Sequence, residues 1–346
     1  MTSVSEQLYE SLVGRRRYIV LGMAVITILL FFIDIALGPM RYGLAEVIQT
    51  VFNPGPSDDL MTSVIWNDRL PKAVTALLAG IALAMAGAEM QTILDNPLAE
   101  PYTLGVSSAA AFGAALVLAF GIGTTTFGDY ATPVMAFIIA MLVCFLIYTV
   151  AKIKSSDRTT IILIGVALLF LFQALVQLAQ SISSQDSATS IMLWTFGSLG
   201  RAGWADLGIL LVVILLVTIL FAKNLWRLTA LKLGDSKASS LGVDVGKLRR
   251  NTLIGVSVLT AVTVSFTGTI GFVGLVGPHI ARMLVGDDQR YFLPVSALAG
   301  AMMLLAAAVV CKLSDFTMDL PIGVVTSLVG VPFFIYMILK RRKVFA

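Results

Sequence analysis

Residues that bind metals or carry out redox chemistry are almost absent from this sequence. It holds one histidine, His279, and two cysteines, Cys144 and Cys311, among 346 residues. One histidine cannot build a multi-histidine site, and two cysteines within apolar stretches give neither a disulfide framework nor metal-ligand spacing. The sequence therefore predicts no metal site and no cofactor held by this chain.

The motifs of hydrolytic enzymes are also missing. No phosphate-binding G-x-x-x-x-G-K-[ST] motif occurs, since Gly246 and Lys247 are followed by Leu248. Neither H-E-x-x-H nor a Ser/His/Asp set placed for cleavage is present. We therefore expect a chain that is not an enzyme and does not itself hydrolyse ATP.

Ionisable groups are scarce, at 13% of residues, and the main ones within apolar stretches are Asp34 and Glu89. A proton- or sodium-coupled carrier usually needs such groups near the middle of the membrane, so their scarcity disfavours that class. We expect the Glu89 carboxylate to reach the cytoplasmic interface. A place in a transport path is the alternative.

Apolar residues are abundant, at 58% of the chain. A spanning helix needs roughly 20 of them, so the sequence predicts an all-α polytopic membrane protein with about ten transmembrane helices. The predicted spans are 18–37, 72–94, 104–120, 131–151, 160–181, 207–222, 253–268, 272–285, 294–310 and 322–339. A short interfacial helix is expected in the outer segment between the fifth and sixth spans.

Positive charge falls on alternate connections between these spans. With both termini inside, about four in five of the 24 Lys and Arg residues lie on the inner side, where such residues are retained. This distribution favours an even number of spans and two cytoplasmic termini. Spans two to five and seven to ten then form two four-helix groups that enter the membrane with opposite sense, as in an inverted repeat.

The longest polar interval, residues 223–250, carries seven Lys or Arg residues against two Asp. Its basic character places it in the cytoplasm. With Gly234 and Gly242 as breakers, the pattern predicts two short amphipathic helices joined by a turn. The leucines of this segment make it more apolar than a solvated connector, so we expect a docking surface for another protein. A helix lying on anionic lipid is the alternative.

Several short motifs follow one another along most of the chain. They are R-L-P-K at 69–72, G-A-E-M-Q at 87–91, N-P-L-A-E-P at 96–101, L-G at 104–105, L-G-D at 233–235, L-G-V at 241–243, G-F-V-G-L-V-G-P-H-I-A-R at 271–282 and L-P-I-G-V-V-T at 320–326. In this order they resemble the FecCD family of ABC-importer permeases, the membrane subunits that import ferric siderophores, haem and cobalamin. The ordered set is far more specific than any single motif.

The resemblance implies a type II ABC-importer permease that pairs with a second permease subunit, either a copy of itself or a paralogue. Two cytoplasmic ATPase subunits, which would bind ATP and Mg²⁺, are expected below it, and a substrate-binding protein above it. No nucleic acid partner is expected. The loop at 223–250 then becomes the coupling element for the ATPase, with Gly234, Asp235, Leu241 and Gly242 matching the family's loop pattern.

On the outer face, the resemblance implies that Arg69, Lys72 and Lys312 receive acidic residues of the binding protein. Lys72 and Lys312 stand where the cobalamin-type pattern has Arg, so bidentate pairing is lost there and a point-charge contact remains. Interfacial anchoring is the alternative for all three cations.

On the inner face, the resemblance places the translocation gate where the second span turns into the third and where the fifth begins. Asn96 and Leu98 match the family's gate positions by motif. Thr159 and Thr160 correspond only by their spacing before Gly165. Asn96 also suits a turn before a proline.

Together these patterns predict one transmembrane permease domain over residues 1–346, in the bacterial inner membrane, that passes an iron–siderophore complex to the cytoplasm. Cobalamin, haem or molybdate are alternative cargoes within the family. Alternatives from other classes are an ion-coupled secondary transporter and a non-transporting membrane scaffold.

Overall fold

The computed structural model describes residues 4–56, 58–153, 158–313 and 320–341, and every regular element in these ranges is a helix. The α-helices are α1 (Val4–Ala36), α2 (Leu44–Phe52), α3 (Leu60–Val64), α4 (Leu70–Leu94), α5 (Val106–Phe120), α6 (Thr124–Phe127), α7 (Ala131–Ile153), α8 (Arg158–Ile182), α9 (Gln185–Thr195), α10 (Trp204–Ala222), α11 (Leu225–Leu231), α12 (Asp235–Ser240), α13 (Val245–Thr267), α14 (Val273–Val285), α15 (Gln289–Leu313) and α16 (Ile322–Arg341). A π-helical turn (Ile65–Arg69) runs into α4, and 3₁₀ turns (Pro101–Leu104 and Gly128–Tyr130) precede α5 and α7. The predicted all-α fold class is confirmed.

Each of the ten predicted spans coincides with a helix, namely α1, α4, α5, α7, α8, α10, α13, α14, α15 and α16. Among the described helices, six are long and apolar enough to cross a membrane: Gly14–Ala36, Leu60–Leu94, Thr124–Ile153, Arg158–Ile182, Trp204–Ala222 and Gln289–Leu313. The chain is therefore a multi-pass membrane protein. The count of ten spans and the cytoplasmic termini stay predictions, and residues 342–346, which carry part of the inner charge, lie outside the described residues.

Helix α4 lies at the centre of the bundle. In its most apolar stretch 83% of residues are buried, against 22% for α1 and α8. A Cβ at Gly87 would lie 1.9 Å from the carbonyl oxygen of Gly274 on α14, and a Cβ at Gly80 would lie 2.5 Å from that of Gly300 on α15. Because the atoms that these added Cβ atoms would meet belong to the backbone, α4 packs backbone against backbone with α14 and α15, as small residues allow in membranes.

In each of the two predicted four-helix groups, the second helix is short and follows a residue in the left-handed backbone conformation. In the first group α5 has 15 residues and follows Gly105 at φ 78°; in the second α14 has 13 residues and follows Phe272 at φ 68°. This left-handed conformation suits glycine and strains phenylalanine. A Cβ at Gly105 would lie 2.7 Å from the backbone nitrogen of Leu169, which is roughly 16 Å along α8 from its first residue. The α4–α5 connection therefore folds back toward the middle of the membrane.

Two helices lie in the outer segments. The expected interfacial helix before the sixth span is α9, whose Trp194 is buried. Helix α2 is not among the predicted elements. Its Val47 is fully buried with Ile35 in one apolar cluster, and the Glu46 carboxylate accepts a hydrogen bond from the Gly43 N–H at 2.9 Å. The amphipathic pattern of residues 44–52 could have predicted this helix from the sequence.

Candidate functional site: two membrane faces and the cavity between them

The loop at 223–250, called the inner-face loop after its predicted side of the membrane, contains α11, α12 and the start of α13, which confirms the predicted pair of short helices. Gly234 and Gly242 lie at φ 98° and 82° and separate them, a conformation that side chains other than glycine rarely adopt. Leu228 and Leu231 on α11 are 0% and 2% exposed and pack in the main apolar cluster. These two leucines therefore anchor α11 to the bundle.

One surface of this loop is exposed and apolar. Trp226, Leu233 and Leu241 are 62%, 57% and 51% exposed. Beside Leu241 lies a cavity of 220 Å³, lined by Asn224, Arg227, Gly242, Asp244, Lys247, Leu248 and Asn251. Large apolar side chains exposed on a basic surface indicate a site that another protein covers.

The four predicted coupling residues divide between this surface and the interior. Leu241 and Gly242 are exposed beside the cavity, whereas Gly234 and Asp235 are half-buried at the start of α12. Their part in ATPase coupling stays a prediction. The structure adds that Asp235 already has partners within this chain.

Asp235 belongs to an ion-pair network that joins four helices. Arg158 at the start of α8 donates through one nitrogen to Asp235 and through the other to Asp95 at the end of α4, at 2.8 Å to Asp95. Arg249 on α13 donates to both carboxylate oxygens of Asp235 at 3.2 Å and to the carbonyl of Ile93 at 2.8 Å. Burial opposes ionisation of Asp235, but the hydrogen bond from Arg158 and the charge of Arg249 hold its pKa below the usual value.

The structure brings the two predicted gate segments together. Asn96 directly follows Asp95, Thr159 directly follows Arg158, and the Asp95–Arg158 pair holds the two segments side by side. The side chain of Asn96 accepts a hydrogen bond from the Leu98 N–H at 3.0 Å. Asn96 is therefore a turn former, and its role in the gate stays a prediction.

Leu98 is 45% exposed and borders a cavity of 750 Å³. Its walls come from the α4–α5 connection, the start of α14 and α16, and include Phe272, Leu275, Leu328 and Val331. Thr159 is exposed and Thr160 half-buried, and neither is among the residues that line it. Among the described lining residues Glu100 is the one charged group, so the cavity is largely apolar.

On the outer side, Arg69 is buried and holds its own chain together. Its guanidinium donates to the carbonyls of Ile35 and Ala36, at 2.9 and 3.2 Å, and to that of Met40. It also lies 4.8 Å from the ring centre of Tyr42. At 3% exposure, this side chain closes the turn after α1. Its predicted docking role, which stays a prediction, would require these bonds to break.

The other two predicted docking residues, Lys72 and Lys312, line one outer cavity of 510 Å³. Lys312 pairs at 2.7 Å with Asp34, whose side chain is 0% exposed, and its own side chain is 19% exposed. Lys72 pairs with Asp68 at 2.6 Å and is 35% exposed. The structure thus places these two cations together, each neutralised within the chain, and Lys72 is the more accessible.

Arg201 also lines this outer cavity and is not among the predicted site residues. It donates to the carbonyls of Leu193 and Trp194 at 2.7 and 3.1 Å and lies over the Trp194 ring. Burial lowers its pKa to about 10, so it remains protonated at neutral pH. Its hydrogen-bond partners are backbone carbonyls, which any residue type can supply, so the sequence carried no signal for this site.

The expectation that Glu89 reaches the cytoplasmic interface is wrong. Its side chain is 0% exposed, and neither carboxylate oxygen has a hydrogen-bond partner among the described residues. It lies near the centre of the bundle because α4 is enclosed on all sides. His279, in the middle of α14, is 7% exposed and packs with its ring 6.1 Å from that of Phe333.

These features define a polytopic helical membrane protein with a structured basic loop on one face and a largely apolar cavity. A family model described as the FecCD transport family matches residues 26–340. The chain belongs to this family, whose members are transport permeases, and it has the type II ABC-importer permease fold.

Individual relatives match along nearly their whole length. A putative ABC transporter permease of Methanocaldococcus jannaschii is 37% identical, over 95% of this chain and 96% of the relative. The hemin transport system permease HmuU of Yersinia pestis is 35% identical, over 91% and 95%. The solved structure of a putative metal-chelate type ABC transporter in an inward-facing conformation superposes with a TM-score of 0.82 at 31% identity, over 94% of this chain and 99% of that one. Other relatives are named for vitamin B12, iron(3+)-hydroxamate and molybdate import.

Proposed function

We propose that this chain is the membrane subunit of an ATP-driven importer that passes a metal chelate, in the first place an iron–siderophore complex, into the cytoplasm across the bacterial inner membrane. The observation that carries the proposal is the inner-face loop. Its exposed Trp226, Leu233 and Leu241 rest on the buried Leu228 and Leu231, so a partner that covers them acts on a rigid element. Two cytoplasmic ATPase subunits, which bind ATP and Mg²⁺, are the partners of that surface.

A second permease subunit, a copy or a paralogue, completes the path. The 750 Å³ cavity is bordered by α16, whose Leu328 and Val331 are 69% and 41% exposed. Apolar side chains that border a path and remain exposed in one subunit suit an interface with another. On the outer side, a binding protein delivers the cargo, with Lys72 and Lys312 as its most direct electrostatic partners.

The lining of the cavity favours a bulky chelate over a small oxyanion. None of its described lining residues is basic, and Glu100 is acidic. Molybdate would have to shed its water against apolar walls without a compensating cation, which is costly. A chelated metal presents a large organic surface instead. Haem and cobalamin fit this lining as siderophores do.

The test is to purify the chain with its native partners and identify the subunits and the copurified ligand. Reconstituted in proteoliposomes, the complex should import that ligand when ATP is supplied on the ATPase side. Uptake that persists without ATP and stops on proton uncoupling would support a secondary transporter instead. Copurified partners without any flux would support a scaffold.

A further inference from the structure

The ion-pair network around Arg158 lies between the predicted coupling element and the predicted gate. Asp235 is the first residue of α12 in the inner-face loop. Asp95 is the residue before Asn96, and Arg158 is the residue before Thr159. Arg158, the first residue of α8, therefore bonds through its guanidinium both to the loop and to the end of α4.

The geometry depends on arginine. Two different nitrogens of Arg158 bond to two different carboxylates. A planar guanidinium with fixed donors can hold two carboxylates in a set relative position, whereas a lysine ammonium is a point charge on a flexible stem. Arg249, which is 3% exposed, donates both to the other side of Asp235 and to the carbonyl of Ile93. Asp235 is thus held from both directions.

The exposure of the network argues for a positional role. The side chains of Arg158, Asp95 and Asp235 are 27%, 50% and 45% exposed. Ion pairs at such exposure contribute little to stability. The bonds nevertheless connect the ends of three helices, where a small shift of one is passed to the others. We therefore expect these bonds to matter for the relative positions of the helices although they add little to the free energy of unfolding.

We propose that Arg158 is a positioning residue that transmits displacement of α12 to both segments of the inner gate. The inference rests on the proposed ATP-driven function. When a bound ATPase moves the inner-face loop, Asp235 pulls on Arg158, which displaces the start of α8 and, through its bond to Asp95, the end of α4. Both gate segments then move together with the loop.

The test uses the full chain copurified with its ATPase partner, in inside-out membrane vesicles, with Leu98→Cys as a reporter. A membrane-impermeant maleimide added to the cytoplasmic face labels this cysteine. The native Cys144 is buried and Cys311 borders the outer cavity, and the chain without the reporter gives the background. Labelling is compared between the nucleotide-free and the vanadate-trapped state. We expect a nucleotide-dependent change of about fivefold or more in the parent.

Arg158→Gln should abolish this change while the ATPase still copurifies and hydrolyses ATP, and Arg158→Lys should retain part of it. Arg16→Gln is the matched control, because Arg16 is 28% exposed and pairs with Asp288 without contacting the loop or the gate. It should behave as the parent. If Arg158→Gln does not assemble, Asp95→Asn and Arg158→Lys carry the test, each with the nucleotide effect at least halved.

A full nucleotide-dependent change in a folded Arg158→Gln complex, or in both substitute variants, would overturn the role of Arg158 and leave the proposed function standing. A parent complex without any ATPase partner, or without a nucleotide effect on the reporter, would overturn the proposed function and the transmission role with it.

Discussion

The two faces of this permease use charged residues in different ways. On the outer face Arg69 is buried and Lys312 is 19% exposed, and both donate to backbone carbonyls or to the buried Asp34. On the inner face Arg158 is half-exposed and bonds across helix ends. The outer pair of Lys312 thus ends on a fully buried carboxylate, whereas both carboxylates that Arg158 joins are about half exposed. Being on the correct side of the membrane does not by itself make a cation a docking residue.

The largest expected effect lies at the outer Lys312–Asp34 pair. Lys312→Met would leave the Asp34 carboxylate buried without its cation, and breaking one side of a buried pair costs about 3–5 kcal/mol of unfolding free energy. Thermal unfolding of the purified protein in detergent would measure this. Adding Asp34→Leu should recover most of the loss. Lys72→Met, which breaks a pair whose Asp68 is 57% exposed, should cost less than about 1 kcal/mol. Equal losses for Lys312→Met and Lys72→Met would remove the distinction between buried and exposed outer cations.

Arg69→Lys separates charge from shape at the outer face. The substitution keeps the positive charge but removes the fork that reaches three carbonyls, so stability should fall by about 2 kcal/mol. The same unfolding measurement, combined with binding-protein affinity at low salt, distinguishes the two roles. If the affinity for the binding protein falls only in proportion to the loss of unfolding free energy, Arg69 has a structural role. If the affinity weakens while the unfolding free energy is unchanged, the docking prediction stands.

At the inner face, Leu241→Asp should weaken copurification of the ATPase by about tenfold. Because Leu241 is 51% exposed, its replacement should change stability by less than about 0.5 kcal/mol. Ser239→Asp, an exposed position two residues earlier, adds the same charge and is the control. If both variants lose the partner equally, net charge rather than the apolar surface governs docking.

The smallest expected effect concerns the pH dependence of the Asp235 network. The pKa of Asp235 is lowered in the folded protein, so its stabilising contribution is complete above the unfolded-state pKa, about 3.9, and is lost as pH falls through the folded value. The unfolding midpoints of the parent and Asp235→Asn should therefore differ by a constant amount from neutral pH down to about pH 5. The difference should vanish in stronger acid. A difference that grew on acidification would contradict this sign.

The sequence predicts the helices, the short helix pair in the inner loop and the family, because these depend on apolar runs, glycine positions and local motifs. It does not predict what the charged residues contact. The bond between Arg158 and Asp235 joins segments 77 residues apart, and only the three-dimensional fold brings them together. Glu89 was misplaced for the same reason: its height along α4 is readable, but the enclosure of α4 by its neighbours is not.

The left-handed backbone conformation of Phe272 could not be predicted from the sequence either. At the equivalent position of the first four-helix group, 105, the residue is a glycine, which adopts this conformation without strain. A Cβ built on Gly330 would lie 2.5 Å from the Cβ of Phe272. The missing side chain on α16 thus makes room for the strained residue, and this pairing of two distant positions becomes visible only in three dimensions.

The contact of Gly87 and Gly80 with the backbones of α14 and α15 also limits how the protein can move. Helices whose carbonyls fill the gaps left by missing methyl groups cannot slide past one another without first separating. These contacts therefore hold the stretch of α4 around Gly80 and Gly87 at a fixed height against α14 and α15.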